Sequence, residues 1–232
     1  MGVAYNSKIV TDGLVLCLDA GNIKSYPGSG TTWTDLSGNG RNGTLTNMEI
    51  PSDYTSTNGG ILTFGGDDEY AVWSGSAIPL TAATFIVWIK RGAATGQAAR
   101  AGLIMSRNPI ATGMNLNPNL SNFALAYHWN DDGATYSWNS GLIIPLNSWS
   151  MCALTVTSSL ATGYLYQASG LTTATNSTSH GSTSMSVINV GRDAYESRPY
   201  LGSMAQALIY NRALTATEIR QNYLATKSRY FS

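Results

Sequence analysis

The chain is 232 residues long, a length that a single β domain fills and that buries enough surface to fold without a metal or a disulfide. Only 11% of its residues are charged, and 13 basic against 13 acidic residues leave a formal charge of zero. With no Lys/Arg cluster the electrostatic footprint of a nucleic-acid binder is missing, and no apolar run approaches the ~18 residues of a membrane span, which excludes membrane insertion by a helix.

Short apolar runs separated by Gly, Asn, Asp, Ser and Pro predict a succession of strands. Residues 1–12 form an N-terminal arm that lacks a signal-peptide core and misses the myristoylation pattern at Asn6. The first strand covers 13–19, and others follow at 60–64, 70–73, 83–91 and 101–106. Further strands are expected at 123–129, 135–139, 148–157, 163–167, 187–191 and 202–211. Within 123–129, Phe123, Leu125, Tyr127 and Trp129 fall on one face and Ala124, Ala126 and His128 on the other, the alternation of a strand with two different faces. Asn130-Asp131-Asp132-Gly133 reads as a hairpin turn into the next run, and 169–186 as a long polar surface loop. Thr215 and Glu218 have the spacing of a capping box, which opens a helix over about 215–229 with Ile219, Tyr223 and Leu224 as its apolar stripe. The fold class is all-β: residues 13–232 make a two-sheet antiparallel jelly-roll sandwich with one short C-terminal helix and paired first and last strands. Cys17 and Cys152 both lie in apolar runs and are expected to be buried thiols; a disulfide between them would need adjacent strands and an oxidising compartment.

Catalysis finds few tools. Retaining glucanases need two carboxylates about 5 Å apart, which alternate positions on one strand supply. The four glutamates, Glu49, Glu69, Glu196 and Glu218, have no second Glu within four residues. Gly-x-Ser-x-Gly does not occur, and His128 and His180 have no evident partner, so His128 is expected to be a satisfied structural side chain. The expectation is a binding protein, not an enzyme. Sugar recognition uses exposed aromatic rings flanked by hydrogen-bonding groups, and Trp129, Asn130, Asp131, Asp132, Tyr136 and Trp138 cluster around one predicted hairpin as carbohydrate-binding candidates. The same Trp and Tyr side chains also build sandwich cores.

Three stretches carry a resemblance: Trp33-Thr34-Asp35-Leu36-Ser37-Gly38-Asn39-Gly40-Arg41-Asn42-Gly43, Leu62-Thr63-Phe64-Gly65-Gly66-Asp67-Asp68-Glu69-Tyr70, and Leu208-Ile209-Tyr210-Asn211-Arg212-Ala213-Leu214-Thr215-Ala216-Thr217-Glu218-Ile219. In this order they resemble the laminin-G-like branch of the concanavalin A-like lectin/glucanase superfamily, from about residue 13 to 223. The resemblance implies a fold that hosts both sugar-binding modules and glucanases, with a calcium ion near the rim in a number of relatives. Carried onto this chain, its metal ligands are Asp35 and Asn39 with nearby backbone carbonyls, although Leu36 departs from the pattern and the same two side chains suit an Asx-type turn. Asp67 and Asp68 match the family's acidic turn before an aromatic strand.

The opening, residues 9–20 and 25–33, resembles laminin-G-like proteins found among the virion components of tailed bacteriophages. That implies a virion surface protein (capsid decoration, head fibre or tail-associated), assembled in the host cytoplasm. Its partners would be other virion proteins, copies of itself in a homo-oligomer, and a cell-surface glycan, with the first eight residues docking the module onto a neighbour. A free bacterial lectin is the alternative, and a glycoside hydrolase the third reading.

Overall fold

The chain is described from a computed structural model, over residues 8–66, 68–92, 96–119 and 122–231. Its last strand, Leu201–Tyr210, lies inside an eight-stranded antiparallel sheet. The order runs Gly170–Asn176, Ala161–Gln167, Trp149–Val156, Ala83–Arg91, Leu201–Tyr210, Ile61–Gly65, Tyr54–Thr55. One edge of Leu201–Tyr210 is shared: residues 201–204 pair with Ile61–Gly65, while 206–210 pair with the first strand, Leu14–Asp19. The second sheet has seven strands in the order Asn122–His128, Thr112–Asn119, Gly102–Pro109, Thr183–Val190, Tyr70–Leu80, Gly43–Thr46, Thr32–Trp33.

The inner faces of the two sheets meet in the main core, where Leu16, Phe64, Phe85, Val87 and Leu154 from one sheet join Ile104, Met114, Leu125, Tyr127 and Ile188 from the other. The eight-stranded sheet is buried on its outer face too, where Ile86, Trp88, Met151, Leu208 and Tyr210 pack with Ile219 and Tyr230 from the C-terminal segment. Burial on both faces explains why Ala83–Arg91 is an almost unbroken apolar run instead of an alternating one. The covering helix is Ala216–Thr226, and its capping box forms as the spacing predicts: the Thr215 hydroxyl accepts from the Glu218 amide and the Glu218 carboxylate accepts from the Thr215 amide. Arg212 donates to both Glu218 oxygens, at 3.1 and 2.6 Å. That fork, with the Thr215 amide, holds the Glu218 carboxyl down at about 2. The Trp88 indole donates to Thr226 Oγ1 at 2.8 Å and its ring stacks on Tyr230, tying the chain end to the sheet.

Of the expected N-terminal arm, residues 1–7 lie outside the described residues. Val10 is buried, its amide donating to Asn222 Oδ1 at 2.7 Å and its carbonyl accepting from the Tyr210 hydroxyl at 2.9 Å, so the sandwich takes in this part of the segment. The predicted strand at 135–139 is instead a helical turn, Gly133–Tyr136, because Asp132 caps it by accepting from the Ala134 amide at 2.8 Å. Thr112–Asn119 escapes sequence patterning because Asn and Pro interrupt it, although Met114 and Leu116 face the core. The expected loop at 169–186 holds an exposed, Thr-rich edge strand, Gly170–Asn176. Cys17 and Cys152 are buried free thiols; burial, with Asp19 and Asp35 nearby, pushes Cys17 up to about 12, and burial alone raises Cys152. Among the described residues no helix is long and apolar enough to cross a membrane.

Phe85 tests the central strands. It is fully buried, in register with Leu154 on one side and Ile209 on the other. Phe85→Ala is expected to lower stability by about 3–5 kcal/mol in a denaturant titration.

Candidate functional site

Asp35 is buried in the turn that the first motif builds. One carboxylate oxygen accepts from the amides of Cys17 and Ser37, and the other from the Ser37 hydroxyl and the Arg41 amide. Asn39 points its amide at the Leu14 carbonyl and the Ser37 hydroxyl. A calcium ligand must turn its lone pairs to the ion, whereas both Asp35 oxygens face N–H and O–H donors. The pair thus serves the turn and does not fit the calcium ion that the resemblance implied. Among the described residues no group of three or more His, Cys, Asp or Glu side chains is placed to hold a metal. Asp67 lies outside the described residues, and Asp68 accepts from Asn47 Nδ2 at 2.6 Å.

The hairpin candidates divide. Trp129 is 1% exposed, with its indole donating to the Gly181 carbonyl at 2.6 Å, so it presents no ring to a sugar. Trp138 is half-buried edge-on against Tyr127 and packs on the core. Asn130 ties its amide to the carbonyls of Gly181 and Ser182, and Asp132 caps the helical turn. These four side chains hold the corner together. Asp131 and Tyr136 do reach a pocket, and there they meet residues from distant parts of the chain.

That pocket has a volume of about 180 Å³ and lies on the outer side of the seven-stranded sheet, lined by Arg100, Arg107, His128, Asp131, Tyr136, Tyr195 and Arg198. His128 reaches it through the alternation of its strand: Leu125 and Tyr127 enter the core, so His128 faces away from it. Arg107 comes from Gly102–Pro109 two strands away, while Tyr195 and Arg198 follow the short strand Arg192–Asp193. Gly102 makes that juxtaposition feasible, since a Cβ there would overlap the backbone of Arg192 and Asp193. Laid on the sheet in this way, the fully buried Asp193 accepts from Arg107 Nε at 2.8 Å and Nη2 at 2.6 Å. Its second cation is Arg198, at 3.8 Å. Both guanidiniums also lie against the Tyr195 ring, 4.9 and 4.6 Å from its centroid, and Tyr195 is 50% exposed. Across the pocket Arg100 sits 5.0 Å from the centroid of the Tyr136 ring, which stacks on His128.

His128 departs from the expectation of a satisfied side chain. It is 2% exposed, and neither ring nitrogen has a hydrogen-bond partner among the described residues; Nδ1 lies 3.4 Å from Asp131 Oδ1 without the alignment of a hydrogen bond. Leaving a buried polar group unpaired costs about 1–3 kcal/mol. Backbone strain collects here too: of the eight non-glycine residues with positive φ among the described residues, five (Arg100, Asn130, Asp131, Glu196 and Ser197) line the pocket or adjoin its lining. Such strain gathers at binding and catalytic sites, where surrounding structure holds it. Sequence patterning passed over Arg100, Arg107, Tyr195 and Arg198. One signal was present, the four charged residues between 192 and 198 in a chain that is 11% charged.

A lectin-like β-sandwich with one polar, arginine- and tyrosine-lined pocket is the class of protein that fold and site define. The sequence matches the family model for the concanavalin A-like lectin/glucanases superfamily over residues 64–220, and the chain belongs to that family. Solved structures share the fold at low identity. The fourth domain of AbnA, an extracellular arabinanase from Geobacillus stearothermophilus solved with arabinotriose, superposes with a TM-score of 0.62 and 17% identity, covering 91% of this chain and 98% of that domain. Trypanosoma rangeli sialidase in complex with sialic acid gives 0.61 and 16%, covering 95% of this chain; the match spans only 34% of the sialidase. The binding domain of botulinum neurotoxin serotype D gives 0.58 and 13%, covering 93% of this chain and 52% of that one. A search of the curated proteins found no match.

Burial, with Arg107 adjacent, lowers the His128 pKa from 6.5 to about 4. Between those values the unfolded chain binds the proton that the folded chain refuses, so stability falls as the pH drops from about 6.5 to about 4. His180, also lowered by burial, adds in the same direction. Melting temperatures across this window are expected to fall in the unaltered chain and to fall less in His128→Leu. The Glu218 contribution is lost in a separate window, as the pH falls from about 4.5 towards 2.

Proposed function

We propose that this chain is a non-enzymatic glycan-binding module carried on the surface of a tailed-bacteriophage particle, and that the pocket around His128 takes the sugar. The observation that carries this reading is the pocket itself, in which three arginines, two tyrosines and the half-exposed Asp131 converge over the buried His128 imidazole. Hydroxyl groups of a sugar both donate and accept, so they can pair with the Asp131 carboxylate, the phenols and the guanidiniums of the lining. A volume of about 180 Å³ suits a single sugar ring. The saccharide class draws support from AbnA domain 4, a structure of the same fold and similar length solved with arabinotriose.

The absence of a catalytic role is supported by the pocket's acids. Asp131 is the one carboxylate in the lining, and Asp193 beneath it is engaged by two arginines. A retaining glycosidase needs a nucleophile and an acid, both facing the sugar. The virion setting rests on the resemblance at residues 9–33.

A glycan array with the purified chain tests the binding reading. Specific glycans are expected to bind equally with and without a calcium chelator, to be released intact, and to bind about fivefold more weakly to Tyr195→Ala, since a lost ring contact is worth about 1 kcal/mol. A folded chain that binds no glycan overturns the reading. For the setting, mass spectrometry of density-banded particles is expected to find a fixed copy number of this chain relative to the major capsid protein. Absence from the particle leaves a free lectin.

A further inference from the structure

The donors and acceptors around the pocket are unevenly matched. Three guanidiniums, two phenols and an imidazole line it against one carboxylate, Asp131, whose side chain is 52% exposed. Two of the arginines are already committed. Arg107 spends Nε and Nη2 on Asp193 and directs Nη1 at Asp131, while Arg198 pairs with Glu196 at 2.7 Å and lies near Asp193. Arg100 differs. It is half-buried and sits over the Tyr136 ring, and among the described residues no carboxylate pairs with it. Its backbone is held at φ +61°, a left-handed conformation that costs a residue with a Cβ about 1–2 kcal/mol. A strained position that aims an unpaired, half-desolvated cation into a pocket has the form of a preorganised anion site.

From this geometry we infer that the sugar is an acidic one, and that Arg100 is the partner of its carboxylate. The inference rests on the glycan-binding reading above and narrows it to uronic- or nonulosonic-acid sugars. A neutral ring brings hydroxyl protons that need acceptors, and against three guanidiniums the lining offers one carboxylate, Asp131, and two phenol oxygens for them. A carboxylate brings acceptors alone, which a pocket rich in donors can satisfy, and a guanidinium meets it through two parallel N–H bonds. Asp193 keeps Arg107 and Arg198 in place without entering the pocket, and with Asp131 and Glu196 it offsets their charge, which leaves Arg100 as the cation for an incoming carboxylate. In this arrangement Arg100 binds the acid, Asp131 faces the ring hydroxyls, and Tyr195 offers its half-exposed ring to the sugar's apolar face.

The experiment compares glycans that differ at one group only. Binding of the full chain is measured by calorimetry to glucuronate- and sialate-terminated oligosaccharides and to the same compounds with the carboxylate reduced to a primary alcohol. At least one acidic form is expected to bind about tenfold or more tightly than its reduced form, the scale of one charge-assisted hydrogen bond. Arg100→Met, checked for folding by its melting temperature, is expected to erase that preference, and Arg100→Lys to restore part of it. Equal or tighter binding of the reduced forms overturns the acidic-sugar inference and leaves glycan binding standing. An acidic preference that survives Arg100→Met overturns the role of Arg100. Failure to bind any glycan, acidic or neutral, overturns the underlying function instead.

Discussion

The strand Leu201–Tyr210 is the constraint on which the molecule depends. It pairs along one side with Ala83–Arg91 and along the other with two strands from the first third of the chain, Leu14–Asp19 and Ile61–Gly65. None of these pairings is local, so each closes a long loop before it is rewarded by burial. The reward is large because this sheet is covered on both faces, by the opposite sheet and by the C-terminal helix with its aromatic tail. A chain that lacks its last thirty residues loses a central strand and the cover of a whole sheet face. The capping box and the Arg212–Glu218 fork set where that cover begins, directly after the strand ends.

The other sheet bears the site, and there the governing interaction is electrostatic. A fully buried carboxylate such as Asp193 carries a desolvation penalty of several kcal/mol unless cations and hydrogen bonds offset it. Arg107 supplies a two-pronged partner, Arg198 a second cation, and the Tyr195 amide a further donor at 3.1 Å. The result is a rigid base for one wall of the pocket, made of residues that cross from the sheet to the 192–198 segment. Gly102 is the position that lets this segment lie so close. Two Tyr195 contacts and the stacked His128–Tyr136 pair stiffen the rest.

Much of the sandwich was legible because its signals are local. Ala83–Arg91 has the predicted bounds, and the strands at Leu14–Asp19, Trp149–Val156 and Leu201–Tyr210 lie within a residue or two of the apolar runs that announced them. Thr215 and Glu218 announced the helix. The failures were local signals overruled by context. The aromatic run at 135–139 looks like a strand, yet Asp132 and Thr135 hydrogen-bond to nearby backbone and turn it into a helical corner. Thr112–Asn119 and Gly170–Asn176 are too polar to stand out, and they form because a neighbouring strand supplies their hydrogen bonds. Asp35 and Asn39 match a motif whose chemistry their hydrogen bonds do not allow.

By itself the sequence determined the family, the β-sandwich class, the pairing of first and last strands, and a low-charge surface. The sandwich class follows from alternation, capping and turn chemistry, carried by residues within a few positions of one another; the low charge follows from composition, the family from the resemblance of three motifs, and the pairing of first and last strands from the jelly-roll class. It also singled out Asp131 and Tyr136, two of the residues that line the pocket. Only the tertiary structure decided that Trp129 belongs to the core, that His128 has no hydrogen-bond partner among the described residues, and that Arg100, Arg107, Tyr195 and Arg198 converge on one pocket. The reason is physical: which face of a strand meets solvent, and which distant arginine meets a buried carboxylate, depend on sheet order and on the packing of one segment across another.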